Sequence, residues 1–388
     1  MEEYFARQNL VLKVDAGQRI KSTRVLVVGA GAGGNELLKN LALMGFGNFT
    51  VIDFDDVETS NLSRTTLFSK EDVGRSKSEA AAAALNRLCL HESPRITAVN
   101  ARVQDVGKQV FLDNDIVISS VDTNDARAYL SDWCVRLRKP FFEMGFEGLV
   151  VQIAFFPNRG ADDACLREII GFGDFSGRRQ SCSGLKISDS QLQHIPAIQV
   201  SSALAGAFVA TEIILFLQGD SPLANRLLQY SADYHRYSIF DVPRSDRCPR
   251  HQENESHIVD SGLESSISIR EFLERTQETV GEEILMPFKH RFIVSMDCES
   301  CHQTIPIRKF ENELYDKQRW CDLCLEKGHY EEIPVSANWE SFPDLNLRNR
   351  KRAAYMDWKL SDLLVKQNDL VRVDSLNDTR KSYLVKIH

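Results

Sequence analysis

Along the first third of the chain, apolar positions fall into short unbroken runs separated by stretches of helical period. Residues 24–28 (RVLVV) form a β-branched run stopped by glycine, which reads as a buried strand. A glycine-rich turn follows. Apolar residues then recur at Leu37, Leu38, Leu41 and Met44, predicting a helix that ends at Gly45 and Gly47. Residues 49–52 read as a second strand ending at Asp53. Residues 76–90 read as a helix whose alanine run at 80–84 suits close packing, and residues 116–121 as a strand ending at Asp122. Strands alternating with helices at these lengths imply right-handed parallel crossovers, hence a doubly wound, Rossmann-like α/β sheet.

Past residue 140 the pattern changes. Residues 149–156 and 227–242 read as strands, the latter as a hairpin, and 198–217 as a largely apolar helix. Between them, 157–196 is rich in Gly, Ser and charge and reads as a long irregular crossover, a kind of segment that is usually functional or disordered. The polar stretch 251–262 (HQENESHIVDSG) reads as a linker. Beyond it, 263–388 reads as a smaller α+β unit: a helix near 267–278, paired cysteines, a short helix at 358–364, and strands beginning at Leu370 and Ser382. The expected domains are therefore 1–250 and 263–388.

Composition changes this picture little. A chain of 388 residues has room for two or three domains, and 43% hydrophobic with 26% charged residues is ordinary for a globular protein. A net charge of −8 gives no electrostatic reason to expect nucleic acid or a membrane surface as partner. The acidic N-terminus lacks the apolar core of a signal peptide, and the apolar stretch 203–217 is short and carries Glu212. The expected compartment is the cytoplasm. Nine cysteines, an odd number with four in two C-x-x-C pairs, favour metal ligation plus a free thiol over a disulfide framework.

Gly29, Gly31 and Gly34 match G-x-G-x-x-G between a strand and a helix, with Asp53 about 20 residues on, where a ribose ligand stands. Such glycines let phosphate approach the backbone at a helix N-terminus. By itself this says nucleotide, with NAD as the default. Asn61 and Arg64 just past the second strand, Lys77 at a helix start, and Asp122 at the end of a third strand point instead to a triphosphate with Mg²⁺. Lys77 is poorly placed against the helix dipole unless an anion sits beside it. Taken singly, Arg7, Asn61 and Lys77 read as solvated surface residues; their joint spacing favours the nucleotide.

In order and spacing, Gly29-Ala-Gly-Ala-Gly-Gly-Asn-Glu, Asp53-x-Asp55, Ser60-Asn61-Leu62-x-Arg64, Lys77 and Asp122-x-x-x-x-Arg127 resemble the ThiF/MoeB/ubiquitin-activating superfamily over roughly residues 4–250. The chain departs from that pattern at Ala32 and Gly33. The resemblance implies a Rossmann-like adenylation domain that activates the C-terminal glycine of a ubiquitin-like protein with ATP and Mg²⁺. Asp53 would bind the ribose, Asn61, Arg64 and Lys77 the triphosphate, and Asp122 the Mg²⁺ and α-phosphate. Arg7 would be the arginine finger reaching across a homodimer.

The same resemblance places Cys182, in Gln-Ser-Cys-Ser-Gly of the crossover, where a cysteine carries thioester or persulfide chemistry. Arg178, Arg179 and Lys186 would lower its thiol pKa if close in space, and His194 would assist. A C-terminal unit in larger activating enzymes recruits a conjugating enzyme, which makes that a natural partner here; a purely stabilising lid is the other reading. Rival readings are a sulfur-carrier adenylyltransferase, a peptide- or RNA-modifying relative without a thioester, a nucleotide-binding scaffold, and, last, an NAD-dependent oxidoreductase.

Cys298-x-x-Cys301 and Cys321-x-x-Cys324, separated by 19 residues, have the spacing of a closed four-cysteine zinc ribbon. Family members also carry zinc inside the adenylation domain. The corresponding places here hold Asp162-Asp-Ala-Cys165 and Cys248-Pro-Arg-His251, so a mixed Asp/Cys/Cys/His site and its loss are both open. Cys89 and Cys134 read as packing residues within helices.

Overall fold

A computed structural model describes residues 3–160, 162–172, 198–248, 250–251, 256–298, 301–310, 324, 340–378 and 381–388. The chain divides into two compact units, one of residues 1–106 and 110–253, the other of 107–109 and 254–388.

The first unit is built on an eight-stranded sheet. Its strands are β1 (Arg24–Val28), β2 (Asn48–Ile52), β3 (Arg95–Val99), β4 (Ile116–Ser119), β5 (Phe141–Glu147), β6 (Val150–Phe156), β7 (Arg226–Ser231) and β8 (Arg236–Asp241). The helices are α1 (Ala6–Asn9), α2 (Ala16–Ser22), α3 (Ala32–Leu43), α4 (Lys77–Leu88), α5 (Gln109–Asp113), α6 (Asn124–Arg136), α7 (Arg167–Ile170) and α8 (Gln199–Leu217). The strands lie in the order β3-β2-β1-β4-β5-β6-β7-β8. The first five are parallel and the last three add on antiparallel.

The period-2 rule explains how both faces are buried. Val25 and Val27 of β1 join Leu37, Leu38 and Leu41 of α3, alanines of α4, and Val209 and Ile213 of α8 in one core. Leu26 and Val28 point the other way, into a core with Val117, Phe141, Phe156, Leu130 and Cys134. α8 is long and apolar enough to cross a membrane, yet here it is a core helix. Gly206 lets it approach α3 so closely that an added Cβ would stand 2.8 Å from the Cβ of Glu36.

The doubly wound sheet agrees with the sequence reading, but two strands lie outside it. β3 is a half-exposed edge with little hydrophobic signal, and in β5 the apolar run is interrupted by Glu143 and Gly145. Cys89 caps the C-terminus of α4 instead of lying inside it, and its thiol donates to the Phe46 carbonyl at 3.1 Å. The hairpin at 227–242 is present as β7 and β8.

The second unit carries a six-stranded sheet of β9 (Ser256–Leu263), β10 (Ile284–Asp297), β11 (Thr304–Phe310), β12 (Glu340–Leu345), β13 (Leu370–Ser375) and β14 (Ser382–Ile387). The helix α9 (Ile269–Val280) starts at Ser268, whose hydroxyl accepts from the Glu271 N–H at 3.1 Å, and stops at left-handed Gly281. Phe272 and Leu273 of α9 pack on Ile284, Val373 and Val385. The predicted linker is corrected here. Its second half is β9, an edge strand paired parallel to β14. Backbone hydrogen bonding sets that strand, so its polar side chains hid it.

Candidate functional site

Strand order reverses between β1 and β4, and the carboxyl ends of those two strands carry Gly29 and Asp122. This switch point is where open α/β sheets bind ligands. The glycine turn is built around two contacts no side chain survives. Gly29 is left-handed at φ +94°, and a Cβ there would lie 2.3 Å from the Ser120 carbonyl oxygen; at Gly34 it would lie 2.0 Å from the Gly29 carbonyl oxygen. Gly31 differs. It is the N-cap of α3 with φ −68°, and a Cβ there meets nothing within 4 Å. The free space therefore lies in front of Gly31, over the amides that open α3, where an anion is favoured.

Asp53 closes the turn from the side. Its carboxylate accepts from the Ala30 N–H at 2.6 Å and the Asp55 N–H at 2.9 Å. Burial pushes its carboxyl up, while those two N–H groups and Lys77 pull it back. Asp53 thus shapes the glycine turn. Asn35 does comparable work unnoticed by sequence reasoning. Its amide donates to the Ala30 carbonyl at 2.6 Å and accepts from the Leu67 N–H at 2.8 Å, tying the turn to the segment after Arg64.

The expected triphosphate ligands are arranged as follows. Lys77 opens α4, and its ammonium pairs with Asp55 at 2.8 Å, so the chain itself supplies an anion for the cation at that helix start. Asn61 is buried in a 3-10 turn, its side-chain oxygen accepting from the Glu58 N–H at 3.0 Å. Arg64 donates to the Ser60 carbonyl at 2.8 Å. Asp122 is exposed in the turn after β4, and Arg7 is exposed on α1, outside this bonded set. Arg127 of α6 is buried and pairs with Glu143 of β5 at 2.7 Å. Burial pushes the Glu143 carboxyl up to about 7 against the pull of Arg127. Cys182, Arg178, Arg179, Lys186 and His194 lie outside the described residues.

Two clusters have the donors of metal centres. Cys165, Glu168, Cys248 and His251 place one ligand atom each within 4.8 Å of one another. This corrects the donor set expected from sequence: the acid is Glu168, while Asp162 is exposed and Asp163 serves the Arg159 and Gly160 amides. The Cys165 and Cys248 sulfurs are 3.7 Å apart, and two thiolates on a tetrahedral zinc stand about 3.8 Å apart. His251 and Glu168 are hydrogen-bonded at 2.9 Å. Hydrogen bonding from Cys165 brings the Cys248 thiol down to about 7 and pushes that of Cys165 up. Against the effect of burial, bonds from His251 and Cys165 bring Glu168 down to about 2. The donor set suits zinc. Cys298, Cys301 and Cys324 form the second cluster, with the sulfurs of Cys298 and Cys324 also 3.7 Å apart. Cys321 lies outside the described residues.

Residues 5–250 match the family model described as ThiF family. The NEDD8-activating enzyme E1 catalytic subunit of Caenorhabditis elegans is 41% identical over 114 residues, covering 29% of this chain and 26% of that one. The SUMO-activating enzyme subunit 2 of Dictyostelium discoideum is 34% identical over 156 residues, covering 40% and 23%. The matches thus span about a quarter of these relatives' length. The crystal structure of E. coli MccB with ATP superposes with a TM-score of 0.54 at 20% identity, covering 64% of this chain and 75% of that one, which bears on the fold alone.

Proposed function

The chain belongs to the ThiF family, and we propose that it uses ATP to adenylate the C-terminal glycine of a ubiquitin-like protein. In that step a carboxylate oxygen of the partner bonds to the α-phosphorus, the bond to the bridging oxygen breaks, and pyrophosphate leaves with its electron pair. The product is an acyl-adenylate. The observation that carries the reading is the turn at 29–34: two glycines locked against backbone, and a third, Gly31, facing open space at a helix N-terminus beside Asp53.

In this reading Asp53 holds the ribose, and Asn61, Arg64 and Lys77 take the phosphates, Lys77 exchanging Asp55 for the incoming anion. Mg²⁺ would be held by Asp122 and would neutralise charge on the phosphates as pyrophosphate departs. Tyr4, Leu10, Val11 and Val14 leave an apolar, exposed N-terminal surface. It supports a homodimer in which Arg7 serves the neighbouring pocket. Cys182 then attacks the acyl-adenylate as thiolate, forming a thioester and releasing AMP, before transfer to a conjugating enzyme docked on the second unit. Zinc would be held by the Cys165–Glu168–Cys248–His251 and Cys298–Cys301–Cys321–Cys324 sets and would stabilise each unit. This chemistry needs free thiols, in keeping with a cytoplasmic setting.

Intact mass under non-reducing conditions tests the proposal, using Mg-ATP and a small ubiquitin-like protein that ends in glycine. A thiol-labile adduct of one partner mass, absent in Cys182→Ala, is the expected result. AMP-capped partner with no adduct removes the thioester step and leaves a sulfur-carrier or peptide-modifying adenylyltransferase. Neither species, with ATP bound, leaves a nucleotide-binding scaffold.

A further inference from the structure

We propose that Arg127 is a positioning residue that fixes the turn carrying Asp122, with Glu143 as its buried counter-charge. The inference rests on the adenylation reading only for the role that reading gives to Asp122.

Arg127 is costly where it stands. It lies in the first turn of α6, where the helix dipole disfavours a cation, and it is 4% exposed, so its guanidinium has given up water. Packing alone would be served by an apolar residue, as at Leu130 one turn on. The charge is instead used in polar contacts. One terminal nitrogen donates to the Val121 carbonyl at 2.9 Å, the other reaches the Asn124 side-chain oxygen at 3.4 Å, and Nε lies 2.7 Å from Glu143. Only a planar fork serves three such directions together; a lysine ammonium does not span them.

The Val121 carbonyl belongs to the peptide that leads into Asp122. On one side of it the turn is tied to the sheet by the Ser120 N–H donating to the Val28 carbonyl at 2.8 Å. On the other side Thr123 caps α6 by accepting from the Ala126 N–H at 3.4 Å. Arg127 holds the middle. No hydrogen bond or ion pair from a described residue engages the Asp122 carboxylate itself, so its placement follows from the peptide planes around it. Glu143 explains how the fold retains the guanidinium. It is the carboxylate that interrupts the apolar run of β5, and it anchors Arg127, and through it the turn, to the centre of the sheet.

The test compares wild type, Arg127→Lys and the double variant Arg127→Met/Glu143→Leu. Removing both charges of a buried pair leaves stability much less affected than removing one, so the double variant keeps the test open if Arg127→Lys folds poorly. Amide hydrogen exchange reads the turn directly. The Ser120 and Ala126 amides, whose bonds bracket the turn, are expected to exchange at least about tenfold faster in both variants, matching the loss of a charge-assisted bond, while amides in the middle of α6 keep wild-type protection. A Mg²⁺ titration of the ATP-induced thermal shift is expected to need roughly tenfold more Mg²⁺ for half effect. Wild-type protection of the Ser120 and Ala126 amides in the double variant, or an unchanged Mg²⁺ requirement, overturns the proposal. If wild type gives no thermal shift with Mg-ATP, the nucleotide reading fails, and the exchange rates alone decide the role of Arg127.

Discussion

Gly31 and Gly34 stand three residues apart, and the structure predicts opposite consequences for adding one methyl group to each. At Gly34 the new Cβ would lie 2.0 Å from the Gly29 carbonyl oxygen, a backbone atom with no rotamer to escape into. Overpacking of this kind costs about 1–3 kcal/mol or somewhat more, since the turn must move. For a unit of this size that is a fall of on the order of 5–10 °C in melting temperature. At Gly31 the Cβ meets nothing within 4 Å, and φ −68° suits alanine. The entropy gain from removing a glycine, about 0.4–1 kcal/mol, roughly offsets the poorer N-cap. Stability should stay within a few degrees of wild type. The methyl group would instead occupy the approach to the first amides of α3. Losing one charge-assisted hydrogen bond there, about 1.5–3 kcal/mol, weakens ATP binding on the order of ten- to a hundredfold. Melting curves with and without Mg-ATP, followed by calorimetric titration, separate the two effects. Gly31→Ala binding ATP as tightly as wild type, or Gly34→Ala melting at the wild-type temperature, refutes the reasoning.

Other consequences follow from the remaining clusters. Elemental analysis of purified protein should find two zinc ions per chain. Glu168→Gln or Cys248→Ser should lose one and Cys324→Ser the other, whereas wild type holding one ion or none would dismiss the mixed site or both. Glu212, buried in α8 and accepting from the Leu223 N–H at 3.1 Å, has its carboxyl pushed by burial from 4.5 to about 7. A carboxyl raised on folding binds its proton more tightly in the native state. Its favourable contribution is therefore full at acid pH and is lost as pH rises from about 4.5 through 7. The shift corresponds to at most ~3 kcal/mol. Thermal melts from about pH 5 to 8 should show wild type losing more stability than Glu212→Gln, and parallel curves would contradict this.

The first unit's fold was legible because its signals are local. The unbroken run at 24–28, the three glycines and Asp53 are set by strand period and turn geometry, each within a few residues. What escaped was set by distant partners. β9 looked like a linker because its order comes from hydrogen bonds to β14, over a hundred residues away. β5 was hidden by Glu143, whose presence makes sense only once Arg127 is beside it. Glu168 left a fainter trace: Cys165-x-x-Glu168 repeats the spacing of Cys248-x-x-His251, a symmetry that a search limited to thiols and the preceding aspartates passes over. Asn61 carries the reverse lesson. Its side-chain oxygen caps a 3-10 turn, so part of its value is structural whatever its side-chain N–H groups later bind.

The central claim is that this pocket activates a carboxylate with ATP. Exchange of radiolabelled pyrophosphate into ATP measures that step without requiring Cys182 or any downstream partner. With a ubiquitin-like protein ending in glycine as substrate, exchange should appear only when the terminal glycine is present, and should fall sharply in Asp122→Ala. Absence of exchange at saturating Mg-ATP, or exchange that persists when the glycine is removed, would contradict the account.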